Sequence, residues 1–590
     1  MKERREIEEK YKWDLSSYFV NQEAWEVLFD EMSNKMKAIS NFEGRLNKKE
    51  DIFDCLNFES EISKSLELLY VYASLVVKQE QSNPKSHERL NKISSLLTEF
   101  SSLSSFVDVE ISELDTAVLI ELQNDKDNSN FKNYFYDIIR FKPHTLSKPE
   151  EKLLSMMDFG GGFSDNFDMF DDADLTFESA EDQNGQFHEV NHSNYSLLME
   201  NPDRVLRKNV MKNLNGAYGK FNNFLSSNYI SNIKKNNFSC KARHFESCLK
   251  ASIFGEDASE KVYNTLIEQV NKNLYLLHDY LNLKKNYLGY DKLALYDLYM
   301  PVESPKTEIE YEEAIDLIKN ATCVLGEDYT KLIERAKEER WIDVLPNKDK
   351  DSGAFSWGAY LANPVVLLNY VKNTNSVFTL AHELGHCMHT YYSNHNQSYQ
   401  DAGYTIFVAE VASTVNESLL LQFLLRKAKT KEEKIYYLDY FLSNVRATIF
   451  RQTMFSEFEQ FAHAQYEKNL PLSKEVLNKF YYSLNQKYFS EDVELIDEIA
   501  YEWSRIPHFY SSFYVYKYAT GLISALAIAN NLLSRGEEYA KKYLKFLSSG
   551  STLPPIELLK IAEVDLEDEK TFDNAFAFVK EMIELWKNSI

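Results

Sequence analysis

Cysteine and positive charge are both scarce in this chain. Its five cysteines are an odd number without regular spacing, so no disulfide framework is indicated. Only 66 Lys and Arg stand against 91 Asp and Glu, a formal net charge of −25. Nucleic-acid binding and adsorption on anionic membranes both depend on basic side chains. We therefore expect neither nucleic acid nor a membrane as partner.

Long apolar runs are absent too. The nearest candidate, Leu522–Ala529, has the length of a core helix segment, far short of the roughly 18 to 20 residues that cross a bilayer. The first ten residues lack the apolar stretch of a signal peptide. The triplet Gly160–Gly162 predicts a flexible loop, and no Gly-Lys-Ser/Thr ending marks it as a nucleotide site. We expect a soluble, cytoplasmic protein.

Helical periodicity is what the sequence does have. Apolar residues recur at three-to-four spacing in Leu66–Leu75 and again in Ile93–Phe100, which predicts several antiparallel helices between about residues 22 and 125. Helical patterns also dominate the rest of the chain. The predicted fold is therefore mainly α.

A short β element interrupts the helices and suggests a domain boundary. Asn184-Gly185 is a strong two-residue turn signal, and it lies between β-like segments at 174–177 and 186–190. A chain of 590 residues exceeds the usual size of one compact domain. We predict an N-terminal helical lobe with this hairpin over 1–195 and a second domain over 196–590.

The most informative pattern is His382-Glu383-x-x-His386. Residues four apart on a helix lie about one turn above each other, so the two imidazoles converge on one point. Zinc suits such a site, and a catalytic zinc has three protein ligands and one open position. Glu383 then lies within reach of a metal-bound water as general base. We predict one zinc ion per chain.

The residues around this pattern agree with a helix that packs by one face. An apolar stripe at three-to-four spacing lies nearly opposite the histidines; its members are Val377, Leu380, Leu384 and Met388. Cys387 follows His386 directly and points about 100° away from it, which favours a buried thiol over a ligand.

Two residues compete for the third ligand position. His389 lies seven residues after His382, roughly 10 Å along an unbroken helix, which is too far to share one ion easily. Glu410 follows a loop that turns the chain back, so an antiparallel helix would bring it beside the histidine pair. We prefer Glu410 as the ligand, with His389 and Glu417 as groups that orient the site or as alternative ligands.

The segment before the histidines predicts a strand. Small residues are followed by the apolar run Pro364–Leu368, which suits a short strand placed to pair with an extended substrate. Gly358, Ala359 and Tyr360 precede it and are our candidates for substrate contact.

Several segments together resemble a known family. They are Ser356–Asn369, Phe378–His386, Phe407–Ser413, Phe450–Glu459, Ile506–Tyr510 and Phe513–Tyr518. They closely resemble oligoendopeptidase F, in the thimet-oligopeptidase superfamily of zinc metallopeptidases, and the resemblance spans nearly the whole chain. It implies an elongated, two-lobed helical peptidase with a deep substrate channel, and it makes residues 196–590 the catalytic domain.

The resemblance also implies roles near the carboxyl end of the chain. A histidine and a tyrosine from this region stabilise the oxyanion in that family. His508 corresponds to the histidine, Tyr514 is the first choice for the tyrosine, and Tyr516 is the second choice or a substrate contact. Phe513 occupies one position where related enzymes carry tyrosine.

We therefore predict a zinc-dependent endopeptidase that hydrolyses internal bonds of short peptides. A dipeptide-releasing metallocarboxypeptidase is the alternative within the enzymes, and an inactive helical peptide-binding protein is the alternative outside them. We expect a monomer or a simple homo-oligomer.

Overall fold

A computed structural model describes residues 2–157, 162–303 and 308–589. The described part of the chain is mainly α-helical, as predicted. Two residues of the glycine triplet, Gly160 and Gly161, lie outside the described residues. The predicted helices between residues 22 and 125 are confirmed as five helices.

The helices are numbered along the chain. They are α1 Gln22–Lys35, α2 Lys49–Gln79, α3 Pro84–Ser104, α4 Phe106–Glu113, α5 Thr116–Gln123, α6 Lys132–Phe141, α7 Lys148–Met157, α8 Phe163–Met169, α9 Tyr195–Met199, α10 Arg204–Lys220, α11 Asn222–Ala242, α12 Cys248–Phe254, α13 Glu260–Lys272, α14 Leu274–Leu288, α15 Tyr311–Ala321, α16 Glu327–Glu338, α17 Thr374–Asn396, α18 Tyr399–Ala402, α19 Ile406–Lys427, α20 Lys431–Val445, α21 Arg451–Glu467, α22 Lys474–Phe489, α23 Tyr516–Arg535, α24 Glu537–Leu547, α25 Pro555–Ile561 and α26 Glu569–Lys587.

The strands are short and form three small sheets. They are β1 Ala180–Glu181, β2 Phe187–His188, β3 Leu293–Ala294, β4 Ile342–Asp343, β5 Phe355–Trp357, β6 Val365–Leu367 and β7 Val493–Glu494. β1 and β2 form the predicted antiparallel hairpin, in which Gly185 adopts a φ of 81° that favours glycine. The first strand begins at Ala180, later than the predicted segment at 174–177.

The chain folds into two compact units. The first unit comprises Met1–Pro143, Lys306–Phe423 and Asn531–Glu563, and the second comprises His144–Pro305, Leu424–Asn530 and Val564–Ile590. These units do not follow the predicted single boundary at 195/196, because each one is built from three separate stretches of chain. Contacts between distant segments define them, and the local composition carries no sign of such contacts.

A three-stranded sheet in the first unit corrects the predicted substrate strand. Its order is β4-β6-β5, and β6 pairs with β4 through Val366 and Leu367 while it also pairs with β5. The run Pro364–Leu368 does contain a strand, but both of its edges are already paired. Because both edges of β6 are paired, the expectation that a substrate pairs with this run is wrong. The neighbouring strand β5 is an outer strand of the sheet.

Helix α19 combines length with an apolar sequence. Among the described residues it is the one helix with the length and mean hydropathy, 1.2, of a candidate membrane span. Within the protein, however, 67% of that stretch is buried. This is the burial of a core helix.

The second unit has an ion cluster within an aromatic core. The rings of Tyr229, Phe458 and Trp503 pack against one another with centroids 5.6 to 6.2 Å apart. Beside them, the buried carboxylate of Glu502 accepts hydrogen bonds from Arg451 at 2.8 Å and Arg505 at 3.3 Å. Burial alone would raise the pKa of Glu502, but the two arginines lower it to about 2.

Removing this carboxylate should destabilise the protein in a pH-dependent way. Glu502→Gln leaves two partly buried guanidinium groups, each 20% exposed, beside a neutral side chain in place of the carboxylate, and we expect a loss of about 3 kcal/mol at neutral pH. Because the pKa is lower in the folded state than the ordinary 4.5, this stabilisation is present above pH 4.5 and disappears as the pH falls towards 2. Urea unfolding of wild type and variant between pH 7 and pH 3 measures the difference.

The control is Glu581→Gln, because Glu581 is exposed on α26. It should change the free energy of unfolding by no more than about 0.5 kcal/mol at any of these pH values. A Glu502→Gln difference that stays constant down to pH 3 would contradict the role of the ion cluster.

Candidate metal centre

Helix α17 carries the histidines in the first unit. Asn373 caps it by accepting a hydrogen bond from the Ser376 amide at 2.9 Å. The predicted apolar stripe is confirmed: Val377, Leu380, Leu384 and Met388 are completely buried. Cys387 is buried as well, and its thiol donates a weak hydrogen bond to the Pro364 carbonyl at 3.8 Å.

Helix α19 presents the candidate third ligand. Most of its side chains are buried, whereas Glu410, Thr414 and Glu417 line a partly exposed face at i, i+4 and i+7. Ser413 is buried and donates a hydrogen bond to Glu410 Oε2 at 3.2 Å. The carboxylate of Glu410 is thereby held on the side that faces α17.

Gly385 allows the two helices to approach closely. A β-carbon added at this position would lie 2.6 Å from the Ala412 carbonyl oxygen and 2.6 Å from the Ser413 Cα. Only glycine fits at such a contact between two backbones. Asn416 ties the helices together nearby, since its amide donates to the Ala381 carbonyl at 3.2 Å. This contact, which places Glu410 next to the histidines, was not predicted from the sequence.

Three side chains converge as a metal site requires. The Nε2 atoms of His382 and His386 are 3.2 Å apart, and Glu410 Oε2 lies 3.4 Å from the first and 3.7 Å from the second. A point equidistant from all three atoms is about 2 Å from each, which is the usual bond length of zinc to nitrogen or carboxylate oxygen. His382, His386 and Glu410 therefore could hold a divalent metal ion.

The other two candidates for this site take different positions. Glu417 Oε1 accepts a hydrogen bond from His382 Nδ1 at 2.5 Å, which leaves Nε2 free to face the metal position. His389 is not part of the converging group. Its ring stacks on Tyr404 at 3.8 Å and contacts Phe546 at 5.6 Å, and burial lowers its pKa to about 3.

Glu383 is buried between the histidines and the sheet. Its side chain is 7% exposed, and its carboxylate accepts a hydrogen bond from the backbone amide of Ser356 on β5. Burial raises the pKa of Glu383 to about 7; nearby His382 opposes the rise, while Glu410 and Glu417 add to it. A carboxylate with this pKa is suited to accept and release a proton near neutral pH.

The two histidines differ in their preference for a proton. Burial opposes the charge on His382, yet the carboxylates of Glu417, Glu383 and Glu410 raise its pKa to about 9. Burial and the charge on His382 lower the pKa of His386 to about 4. Since a metal binds only the deprotonated ring nitrogen, metal binding here releases a proton from the pair.

The predicted substrate residues have different degrees of burial. Gly358 and Tyr360 line a cavity in the first unit, whereas Ala359 is 1% exposed. Tyr516, in the second unit, is also 1% exposed and packs against Tyr263 with ring centroids 5.2 Å apart. The structure thus places Tyr516 in a core, where it is not accessible to a substrate.

His508 and Tyr514 belong to an aromatic group in the second unit. Their ring centroids are 6.0 Å apart, and burial lowers the pKa of His508. A hydrogen bond of 3.1 Å joins His508 Nε2 to the hydroxyl of Tyr518, a residue to which the sequence analysis assigned no role. Tyr518 lies on α23, whereas Tyr514 precedes that helix, so helical spacing gave no signal for this pairing. The approach of His508 and Tyr514 to the metal stays a prediction.

Comparisons with known proteins agree with this geometry. The family model of Peptidase family M3 matches residues 197–578, and the model described as Oligopeptidase F matches residues 110–177. The chain belongs to peptidase family M3. It is 35% identical over 586 residues to Oligopeptidase PepF of Bacillus subtilis, covering 99% of this chain and 88% of that protein.

Comparison with solved structures extends the likeness to the fold. A crystal structure from Chlamydophila abortus, described as a peptidase, superposes with a TM-score of 0.96 at 32% identity over all of both chains. The oligoendopeptidase F of Enterococcus faecium superposes with a TM-score of 0.72 at 31% identity, over 96% of this chain and 99% of that one. The resemblance inferred from the sequence is confirmed, and this family M3 protein is a metalloendopeptidase.

Substitutions at the two glutamates of α19 should weaken metal binding to different extents. Glu417→Gln removes the group that orients His382, and we expect roughly a 10- to 100-fold loss of zinc affinity. Glu410→Gln changes a predicted ligand and should reduce the affinity further. Competition with a chromogenic chelator measures both affinities, and His395→Ala, an exposed histidine near the end of α17, should leave zinc affinity unchanged. If Glu410→Gln and wild type had equal zinc affinity, Glu410 would not be a metal ligand.

Adding one methyl group at Gly385 should separate α17 from α19. Gly385→Ala overpacks the contact with Ala412 and Ser413, so we expect a loss of about 1–3 kcal/mol in the free energy of unfolding together with weaker zinc binding. Gly216→Ala is the matched control, because Gly216 lies inside α10 with its nearest neighbour at 4.0 Å. It should be neutral or stabilising. Unchanged zinc affinity in Gly385→Ala would mean that the close contact does not position Glu410.

Proposed function

We propose that this family M3 protein is a zinc-dependent endopeptidase that hydrolyses internal bonds of short peptides, with Glu383 as general base. The proposal rests mainly on one observation: three ligand atoms converge within 3.7 Å of one another, beside a buried carboxylate that touches β5. Its relatives bear the names oligopeptidase and oligoendopeptidase, which supports peptides as substrates.

The donor set favours zinc. Two imidazole nitrogens and one carboxylate are a common three-ligand set for catalytic zinc, with one position left open. When bound, the ion would polarise the scissile carbonyl and lower the pKa of a water molecule to roughly 7. His382, His386 and Glu410 would hold it, and Glu417, bonded to His382 Nδ1, would keep that ring in the required orientation.

Glu383 moves the proton. It lies one residue from His382 and contacts the backbone of Ser356, so a water molecule beside the metal position is within its reach. It takes the proton of this water as the water attacks the carbonyl carbon, and then delivers the proton to the leaving nitrogen. We assign stabilisation of the oxyanion to His508 and Tyr514 by family resemblance, where losing one donor costs on the order of 3 kcal/mol.

The test is Glu383→Gln. The amide keeps the size of the side chain but accepts no proton, so turnover of a fluorogenic peptide should fall by at least about a hundredfold. Zinc content, measured by atomic absorption, should stay at wild-type level because Glu383 is not a ligand. Substantial turnover in this variant would refute the general-base assignment.

Product mapping on a ten-residue peptide completes the test. Chelator-sensitive cleavage at internal bonds is the expected result. Stepwise release of dipeptides from the carboxyl end would indicate that the protein is a carboxypeptidase. Peptide binding without any zinc-dependent cleavage would indicate that it is a peptide-binding protein.

A further inference from the structure

A cavity of about 790 Å³ lies within the first unit. Helix α2 lines one wall through residues between Leu56 and Glu67. The end of β5 lines another through Trp357, together with Gly358 and Tyr360 from the segment after it. The remaining wall comes from α6, α18 and the end of α17. A space of this volume accommodates one or more amino-acid side chains.

The cavity adjoins the metal centre. Thr390 lines it, and this residue lies four positions after His386 on α17, one helical turn or about 6 Å further along the axis. Trp357 also lines it and is the last residue of β5, the strand whose Ser356 amide contacts Glu383. A peptide that lies along β5 with its scissile bond near Glu383 therefore extends into this cavity.

The charged residues that line the cavity are acidic. Asp137 lines it and pairs with Arg140 at 2.7 Å. Glu59, Glu67 and Asp401 also line it, and none of its described lining residues is basic. Within the described chain no ion pair within 4 Å joins these three carboxylates to Lys, Arg or His. Burial raises the pKa of all three, to about 7 for Glu59, where nearby Asp108 adds to the effect. A cation that entered would supply the missing counter-charge.

The aromatic wall already holds an ammonium group. Tyr360 and Tyr399 meet edge to face with centroids 5.4 Å apart. The Nζ atom of Lys64 lies 5.8 Å from the first ring and 5.6 Å from the second. Lys64 belongs to α2, as does Glu67, and this cation–π contact shows that the two rings can bind an ammonium group.

Glu67 connects the cavity to the segment that follows β5. Its Oε2 accepts a hydrogen bond from the Tyr360 amide at 3.2 Å, so its charge lies where the backbone of that segment enters the cavity. We propose that this cavity is a subsite for a positively charged group of the peptide substrate and that Glu67 determines the preference, an inference that rests on the proposed peptidase function. The positive group is either the α-ammonium of the peptide or the side chain of a lysine or arginine.

Three quenched peptides of equal length test the proposal. One has a free amino terminus and no basic residue, the second is acetylated with one lysine on the amino side of the cleaved bond, and the third is acetylated with norleucine in place of that lysine. We expect wild type to cleave at least one cationic peptide with about tenfold higher kcat/KM than the neutral one. Which cationic peptide is favoured identifies the source of the charge.

Glu67→Gln should abolish this preference, so that kcat/KM for the favoured cationic peptide falls about tenfold relative to that for the neutral peptide. Glu61→Gln, on the exposed face of the same helix, should keep the preference. Should Glu67→Gln fail to fold, Glu59→Gln serves as a second variant, with a smaller loss of preference. Equal cleavage of all three peptides by wild type, or equal losses on all three in Glu67→Gln, would overturn the subsite.

Absence of the proposed peptidase activity would give a different result from absence of the subsite. It would appear as absence of chelator-sensitive cleavage of all three peptides, including the neutral one. Loss of the subsite alone leaves chelator-sensitive cleavage intact.

Discussion

The metal centre depends on the close contact between α17 and α19 at Gly385. With no side chain at this position, the backbone of α19 at Ala412 and Ser413 approaches α17 more closely than any other residue would permit. Glu410 lies only two to three residues earlier on α19, so its carboxylate reaches the two histidines. Asn416 bonds to the Ala381 carbonyl one to two turns further on and keeps the helices in register. A ligand set drawn from two helices needs this contact, because a metal tolerates errors of only a few tenths of an ångström.

Acidic side chains outnumber the histidines around the candidate metal site. Three carboxylates, those of Glu383, Glu410 and Glu417, lie around two imidazoles, and burial weakens the solvent screening among them. A divalent cation bound by His382, His386 and Glu410 would balance this excess of negative charge. The cavity next to the site has no basic residue among its described lining residues, so the acidic character of the site continues into this cavity. The formal net charge of the whole chain, −25, has the same sign as the charge around the site, but a summed charge says nothing about one particular cleft.

The three-stranded sheet shows how a correct local prediction can lead to a wrong functional one. The apolar run at 364–368 does form a strand, and burial on both faces explains its composition. That same composition marks a central strand, whereas the strand beside Glu383, β5, has only intermediate burial. Tyr516 is a second example: it belongs to a segment predicted to be functional, yet its side chain is buried in a core. Neighbouring Tyr514 and His508 remain partly exposed.

By itself, the sequence determined the helical class, the pair of histidines with Glu383, and the family. Periodicity and the four-residue spacing are properties of a single helix, which is why they can be read locally. The preference for Glu410 over His389 also followed, because the rise along one helix separates His389 from His382. Only the tertiary structure decided which strand faces Glu383, where α19 contacts α17, how the chain divides into two units, and which carboxylates share a cavity. These features depend on contacts between residues far apart in the chain, and no local pattern encodes such contacts.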